Sequence, residues 1–268
     1  MSERAAVERV DDPVTVSSLT DDLRDLGVGA GEMLLVHASL SALGWVCGDA
    51  PAVVDALRAA VTETGAVVVP THTGQYSDPA VWSNPPVPDD WVETIEAVRP
   101  PYRPEVTPTR SVGAIPECLR TYPDAVRSRH PIFSFAAMGA DAEAVVADHS
   151  FDYGLGDDSP LGRVYERGGR VLMVGTDYDT NTSLHLAEHR ANFPKTTVSA
   201  EVPIRRDGER TLVECTDIEN STDDFDDVGA AFESQTDVTT GTVGAADATL
   251  LDQRALVDFA TKWFGKHR

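Results

Sequence analysis

The chain has 268 residues, and 44 Asp and Glu against 22 Lys and Arg leave a formal charge of -22 at pH 7. Neutralising phosphates takes clustered Lys and Arg, so the charge sets aside nucleic acid and anionic membrane surfaces as partners. With 41% hydrophobic residues the chain can bury a core, and its 28 Asp against 3 Lys fit a halophile's cytosol, where a Debye length of roughly 3 Å at molar salt screens the acidic coat.

Residues 1–16 are polar and are expected to lie loosely on the surface. Their acids and the absence of an apolar h-region predict a soluble, cytoplasmic protein with no membrane association. From Ser17, SSLTDDLRDLG predicts a helix stopped at Gly27. GVGAGE (27–32) has the glycines of a phosphate loop, but it precedes a strand instead of following one, so a helix stop and a turn explain it. MLLVHA (33–38) reads as a buried strand, PAVVDALRAAVTETG (51–65) as a helix with Pro in its first turn, and AVVVP (66–70) as a second strand. This rhythm predicts an α/β sheet with helical cover. Eight prolines across 71–109 exclude regular structure there and predict a lid or binding loop. Helices are then predicted over 112–120, 141–148, 161–169 and 183–191, and strands over 133–138 and 170–175. TVSAEVPIR and RTLVECTDI predict a small antiparallel insertion near 196–216, turned at Asp207-Gly208. An acidic stretch and a final helix, DQRALVDFATKWF, close the chain. Without a repeat or a linker, residues 1–268 are expected to form one domain. Cys47, Cys118 and Cys215 lie far apart with no CxxC and read as small buried hydrophobes.

Within the predicted helix 183–191, His185, Glu188 and His189 spell HLAEH and share one face. Two imidazoles and a carboxylate in that order match the H-x-x-E-H pattern of a zinc peptidase class, although no motif identifies the third ligand that a catalytic zinc needs. A metal-free alternative makes His185 a general base whose tautomer Glu188 fixes. A third reading is purely structural, with His and Glu making salt links to Arg190. His37 closes the first strand, followed by Ser39 and Ser41, and Thr71, His72 and Thr73 repeat the arrangement after the second. Ligands gather at strand ends in α/β sheets, so one shared site is plausible; turn residues around a satisfied core histidine are the simpler alternative. No G-x-S-x-G elbow marks a serine hydrolase.

Read together, VHASLSALGWVCG (36–48), VVVPTHTGQYSDPAVW (67–82), TPTRSVGAIPECLRTYPDAVRSRHPIFSFAAMG (107–139), FDYGLGDDSPLGRVYERGGRVLMVG (151–175) and NTSLHLAEHR (181–190) resemble the aminoglycoside 3-N-acetyltransferase family. The resemblance implies a three-layer α/β/α fold with a mixed central sheet, acetyl-CoA as co-substrate and no metal. It makes His185 the catalytic base with Glu188 as its carboxylate. It assigns His37, Ser39, Leu40, Ser41 and Thr73, together with Arg110, Ser111, Val112 and Gly113, to coenzyme A. Arg110 supplies charge for phosphate, and the amides of Val112 and Gly113 suit an anion or the thioester oxygen. Acids around an acceptor pocket should grip the substrate's other amines, with Tyr76, Asp78, Asp152, Asp179 and Asp224 as candidates. The net charge is no argument for a polycationic substrate, because molar salt screens long-range attraction. The acceptor therefore stays open between an aminoglycoside and another amine. A zinc hydrolase using HLAEH and a non-catalytic CoA-binding protein are the alternatives of other classes, and the expected assembly is a monomer or homodimer.

Overall fold

Short apolar runs punctuated by Gly and Pro make strands too hydrophobic to face water on either side, and such strands need helices on both faces. The computed structural model describes residues 3–268. Its strands are β1 (Met33–Ala38), β2 (Ala66–Pro70), β3 (Val126–Arg127), β4 (Phe135–Gly139), β5 (Arg170–Val174), β6 (Thr197–Arg206), β7 (Glu209–Ile218), β8 (Thr239–Val243) and β9 (Ala246–Asp252). Seven of them form one sheet in the order β3-β4-β2-β1-β5-β9-β8. The centre is parallel, with Leu35 of β1 opposite Val68 of β2 and Val171 of β5. The flanking pairs, β3 with β4, β4 with β2, β9 with β5 and β8 with β9, are antiparallel.

Alternation along each strand divides its side chains between two cores. Leu34, Val36, Val67 and Val69 pack under the helices Val16–Asp25, Asp49–Val61 and Ala114–Leu119. Leu35, Val68, Val171 and Met173 pack under Pro160–Glu166, Ser183–Arg190, Phe225–Glu233 and Gln253–His267. The result is the expected three-layer α/β/α arrangement with a mixed sheet. β6 and β7 form the expected antiparallel insertion, and both turn residues, Asp207 (φ 53°) and Gly208 (φ 86°), are left-handed, as a two-residue hairpin requires. One face of the hairpin closes over Tyr76, Tyr102 and Ile132 as a third apolar cluster.

Three expectations need correction. The proline-rich stretch contains a helix, Asp89–Val98, with Asp89 and Asp90 in its first turn. Its prolines flank those ten residues and do not interrupt them, and Pro88 stands at the N-cap, where a missing N–H costs nothing. The leading segment is pinned at its far end: Val14 is buried, and the Val14 N–H donates to Trp45 O at 3.0 Å while Cys47 N–H donates to Val14 O at 2.8 Å. Of the cysteines only Cys215 is buried, and Cys47 is exposed.

Candidate active site

β1 is parallel to both β2 and β5; the helix Asp49–Val61 leads to β2 on one side and β5 joins the other edge, so the strand order switches at β1, the place where α/β sheets take ligands beyond the strand ends. His37 alternates onto the Leu35 side of β1 and is buried facing the helix Ser183–Arg190, its Nε2 3.5 Å from Thr182 Oγ1. Asn181 starts that helix, its Oδ1 accepting the Ser183 N–H at 3.0 Å. One turn on, His185 Nδ1 meets Glu188 Oε2 in a short hydrogen bond. A carboxylate accepts, so Nδ1 is the donor in this bond, and in the neutral imidazole that makes Nε2 the acceptor. The Glu188 side chain is only 1% exposed; its second oxygen meets Arg268 and faces the Ser221 N–H at 3.4 Å. A buried carboxylate needs such partners, since stripping its water costs several kcal/mol. The His185 ring rests on Phe225, with centroids 4.9 Å apart.

His72 follows β2 and points its edge at Phe133 and Phe135. Its Nε2 is buried without a hydrogen-bond partner. Burial first, and then the neighbouring His185, holds His37 and His72 down to about 3, so both imidazoles are neutral at ordinary pH. His37, His72 and His185, from three separate segments, thus lie close enough to feel one another's charge.

The segments assigned to coenzyme A also come together. Ser39 N–H donates to Val174 O at 2.9 Å, which ties the turn after β1 to the end of β5, and the Ser39 and Ser41 hydroxyls lie 3.2 Å apart. Gly175 allows this approach: a Cβ there would lie 2.2 Å from that of Ala42. Arg110 N–H donates to His72 O at 2.9 Å, and its guanidinium lies over the Trp82 ring at 5.4 Å. Ser111 and Gly113 are left-handed at φ 63° and 88°, and Gly113 faces Ala38 O, which a Cβ would approach to 3.9 Å. Thr73 is different: it is fully buried and its hydroxyl donates to Pro131 O at 2.5 Å.

The five acceptor candidates are scattered. Tyr76 is buried and donates its hydroxyl to Pro100 O at 3.0 Å. Asp78 caps a short turn through Ala80 N–H at 2.8 Å, and Asp152 accepts Thr216 N–H at 3.0 Å. Asp224 forms a two-oxygen clamp on Arg268. Asp179 is exposed, and burial together with the charges of Asp226 and Asp177 raises its carboxyl above the ordinary value. Nor does HLAEH converge on one point, because His189 Nε2 turns to Asp217 Oδ1 at 3.2 Å, out of line for a hydrogen bond. Among the described residues, no three His, Cys, Asp or Glu side chains form a metal cluster. Arg190, the salt-link partner suggested by spacing, instead pairs with Asp157 and stacks on Tyr165 at 4.0 Å. Sequence reasoning missed Arg268, which no local motif marks.

Residues 35–265 match the family model described as aminoglycoside 3-N-acetyltransferase. The chain belongs to that family. It is 42% identical over 259 residues to the SPbeta prophage-derived aminoglycoside N(3')-acetyltransferase-like protein YokD of Bacillus subtilis, covering 96% of this chain and 95% of that protein. It is 39% identical over 278 residues to aminoglycoside N(3)-acetyltransferase VII of Streptomyces paromomycinus, covering 98% and 96%. Among solved structures, YokD superposes with a TM-score of 0.95 at 40% identity over 98% of each chain. AAC-IIIb in binary complex with CoASH follows with a TM-score of 0.85 at 33% identity, covering 95% of this chain and 97% of that one. AAC-VIa bound to sisomicin has a TM-score of 0.86 at 31% identity, covering 96% and 99%.

Proposed function

We propose that this protein transfers the acetyl group of acetyl-CoA to the 3-amino group of an aminoglycoside, with His185 as general base. The observation that carries the reading is the His185–Glu188 pair, with Nδ1 engaged, close to His37 on β1, in a chain of this family. The structures of AAC-IIIb with CoASH and AAC-VIa with sisomicin support both substrates.

Acetyl-CoA supplies an activated acetyl thioester. The turn Ser39–Ser41 offers hydroxyls, Arg110 an exposed cation for phosphate, and the segment Ser111–Gly113 backbone amides for the thioester oxygen, with Gly113 supplying the left-handed φ of 88° that the segment needs. An amine is protonated in water and must lose that proton before it can attack. Neutral His185 receives it at Nε2, and the ionised Glu188 stabilises the imidazolium through Nδ1. His37 and His72 stay neutral beside it and add no opposing charge. Of the acids, Asp179 with Asp177 and Asp226 is best suited to the acceptor's other amines, since a cation would relieve the crowding that raises the Asp179 carboxyl.

The whole chain acts as one domain, in the cytoplasm of a halophile, as a monomer or homodimer. Two of its apolar clusters share the seven-stranded sheet, and among the described residues no helix is long and apolar enough to cross a membrane. Thiol release from acetyl-CoA in molar KCl, with aminoglycosides and simple amines as acceptors, tests the function for wild type and His185→Ala. Turnover with an aminoglycoside, reduced by about 10²–10⁴-fold in the variant, is expected for loss of a general base. Turnover only with simple amines changes the acceptor; undiminished turnover in the variant removes His185 from the mechanism.

A further inference from the structure

A polar network joins the His185–Glu188 pair to Arg268. Asp252 caps the helix Gln253–His267 through Ala255 N–H at 2.7 Å, and the helix carries Arg268 to Glu188. There Nη1 of Arg268 meets Glu188 Oε1, while Nε and Nη2 grip the two oxygens of Asp224, and Nη2 also donates to Ser221 O at 3.2 Å. The guanidinium lies over Phe264 at 4.2 Å, and its side chain is 16% exposed. Burial alone would lower its pKa, but its contacts with Asp224 and Glu188 raise it, so the cation is permanent. Arg268 lies outside the span 35–265 matched by the family model.

We propose that Arg268 is a positioning residue for acetyl transfer: it keeps Glu188 ionised and turned so that one carboxylate oxygen receives the His185 Nδ1–H, leaving Nε2 open to the acceptor amine. This rests on the reading of His185 as the base. A neutral His185, the form that can accept a proton, gives Glu188 no counter-charge. The buried carboxylate then depends on Arg268, with the Ser221 N–H as a weaker second partner at 3.4 Å. When His185 takes the proton, the charges alternate as His, Glu, Arg and Asp, and the chain of four sums to zero. Without Arg268 the dyad would bind a proton more readily, either as an imidazolium–carboxylate pair or as a protonated carboxyl, and each form removes the base. The remaining groups near the pair do not touch its carboxylate. His37 and His72 are neutral, Lys195 feels the Glu188 charge but gives its hydrogen bond to Ala191 O, and His189 faces Asp217.

The sign of each charge makes the test specific. Removing the cation with Arg268→Met should move the acid limb of the kcat/KM profile to higher pH by on the order of one unit, lower kcat by roughly 10–100-fold, as loss of an orienting partner does, and leave the KM for acetyl-CoA unchanged. Removing the opposing anion with Asp224→Asn should move the limb to lower pH. Arg268→Lys, which keeps the charge, should return it to the wild-type position. A merely structural clamp predicts no displacement, or displacements of the same sign in both variants, and either result overturns the proposal. If Arg268→Met does not fold, as judged by its melting curve, the direction of the Asp224→Asn shift decides. His185→Ala run in parallel separates the two ideas: if it is active, the base is misassigned, whereas if it is inactive and the limbs do not move, only the role of Arg268 falls.

Discussion

His185 sits one helical turn before Glu188, so the backbone alone brings them together, but what each does is set by groups from elsewhere. The same holds for the acids. Asp78 and Asp152 are both occupied by backbone N–H groups, and Asp224 by a guanidinium. In a chain with 28 Asp, being acidic identifies nothing; having no local partner does. Arg110 meets that condition as a cation. Among the described residues it makes no ion pair, and the half-buried Trp82 lies beneath its guanidinium at 5.4 Å. Arg110→Ala should therefore weaken CoA binding by roughly tenfold or more, the value of a hydrogen bond to a charged group, with little change in melting temperature. Titration calorimetry with CoA checks this, and unchanged affinity would place the phosphates elsewhere.

At the scale of elements, the site exists because three strand ends converge, and two of them touch through a glycine. Gly175 is left-handed at φ 61° and leaves no space for a Cβ beside Ala42. Gly175→Ala should cost about 1–3 kcal/mol in strain and push the Leu40–Ala42 turn away from β5, raising the KM for acetyl-CoA. A variant with wild-type melting temperature and KM would show that the turn tolerates displacement. β1, β2 and β5 were legible because buried parallel strands are continuous apolar runs bounded by turn residues. β3, with two residues, carries no periodicity at all. β8 is TTGTV, exposed and interrupted by glycine, and β9 earns its place by pairing with β5 from Ala248 to Asp252. Such pairing is set by long-range contact and leaves no mark in the local pattern. The helix Phe225–Glu233 was hidden within its acidic stretch, yet it supplies the Phe225 ring behind His185.

Across the molecule, three buried imidazoles, His37, His130 and His149, and the half-buried His72 have lowered pKa values. His149 bonds Ser128 Oγ at 2.9 Å and Gly154 O at 2.7 Å, and His130 Nδ1 accepts the N–H groups of Ile132 and Phe133. Burial holds His37 and His72 down to about 3, His130 to about 4, and His149 well below its ordinary value. Their folded values lie below the unfolded value of about 6.5, so the unfolded chain takes up protons that the native state refuses. Stability is complete above that value and is lost as pH falls below it, by about 1.4 kcal/mol per pH unit for each group. Melting curves at constant KCl should drop by roughly 10 °C or more between pH 7.5 and 5; a flat profile would mean that these histidines can be protonated in place. By itself the sequence determined the α/β layering, the hairpin turn and the His185–Glu188 pair, because periodicity, turn chemistry and helical spacing act over a few residues. Only the tertiary structure decided which carboxylates are spent locally, which strands complete the sheet and that Arg268 backs Glu188. Those outcomes depend on packing and charge pairing between segments far apart in the chain, 80 residues in the last case, and no local pattern encodes that distance.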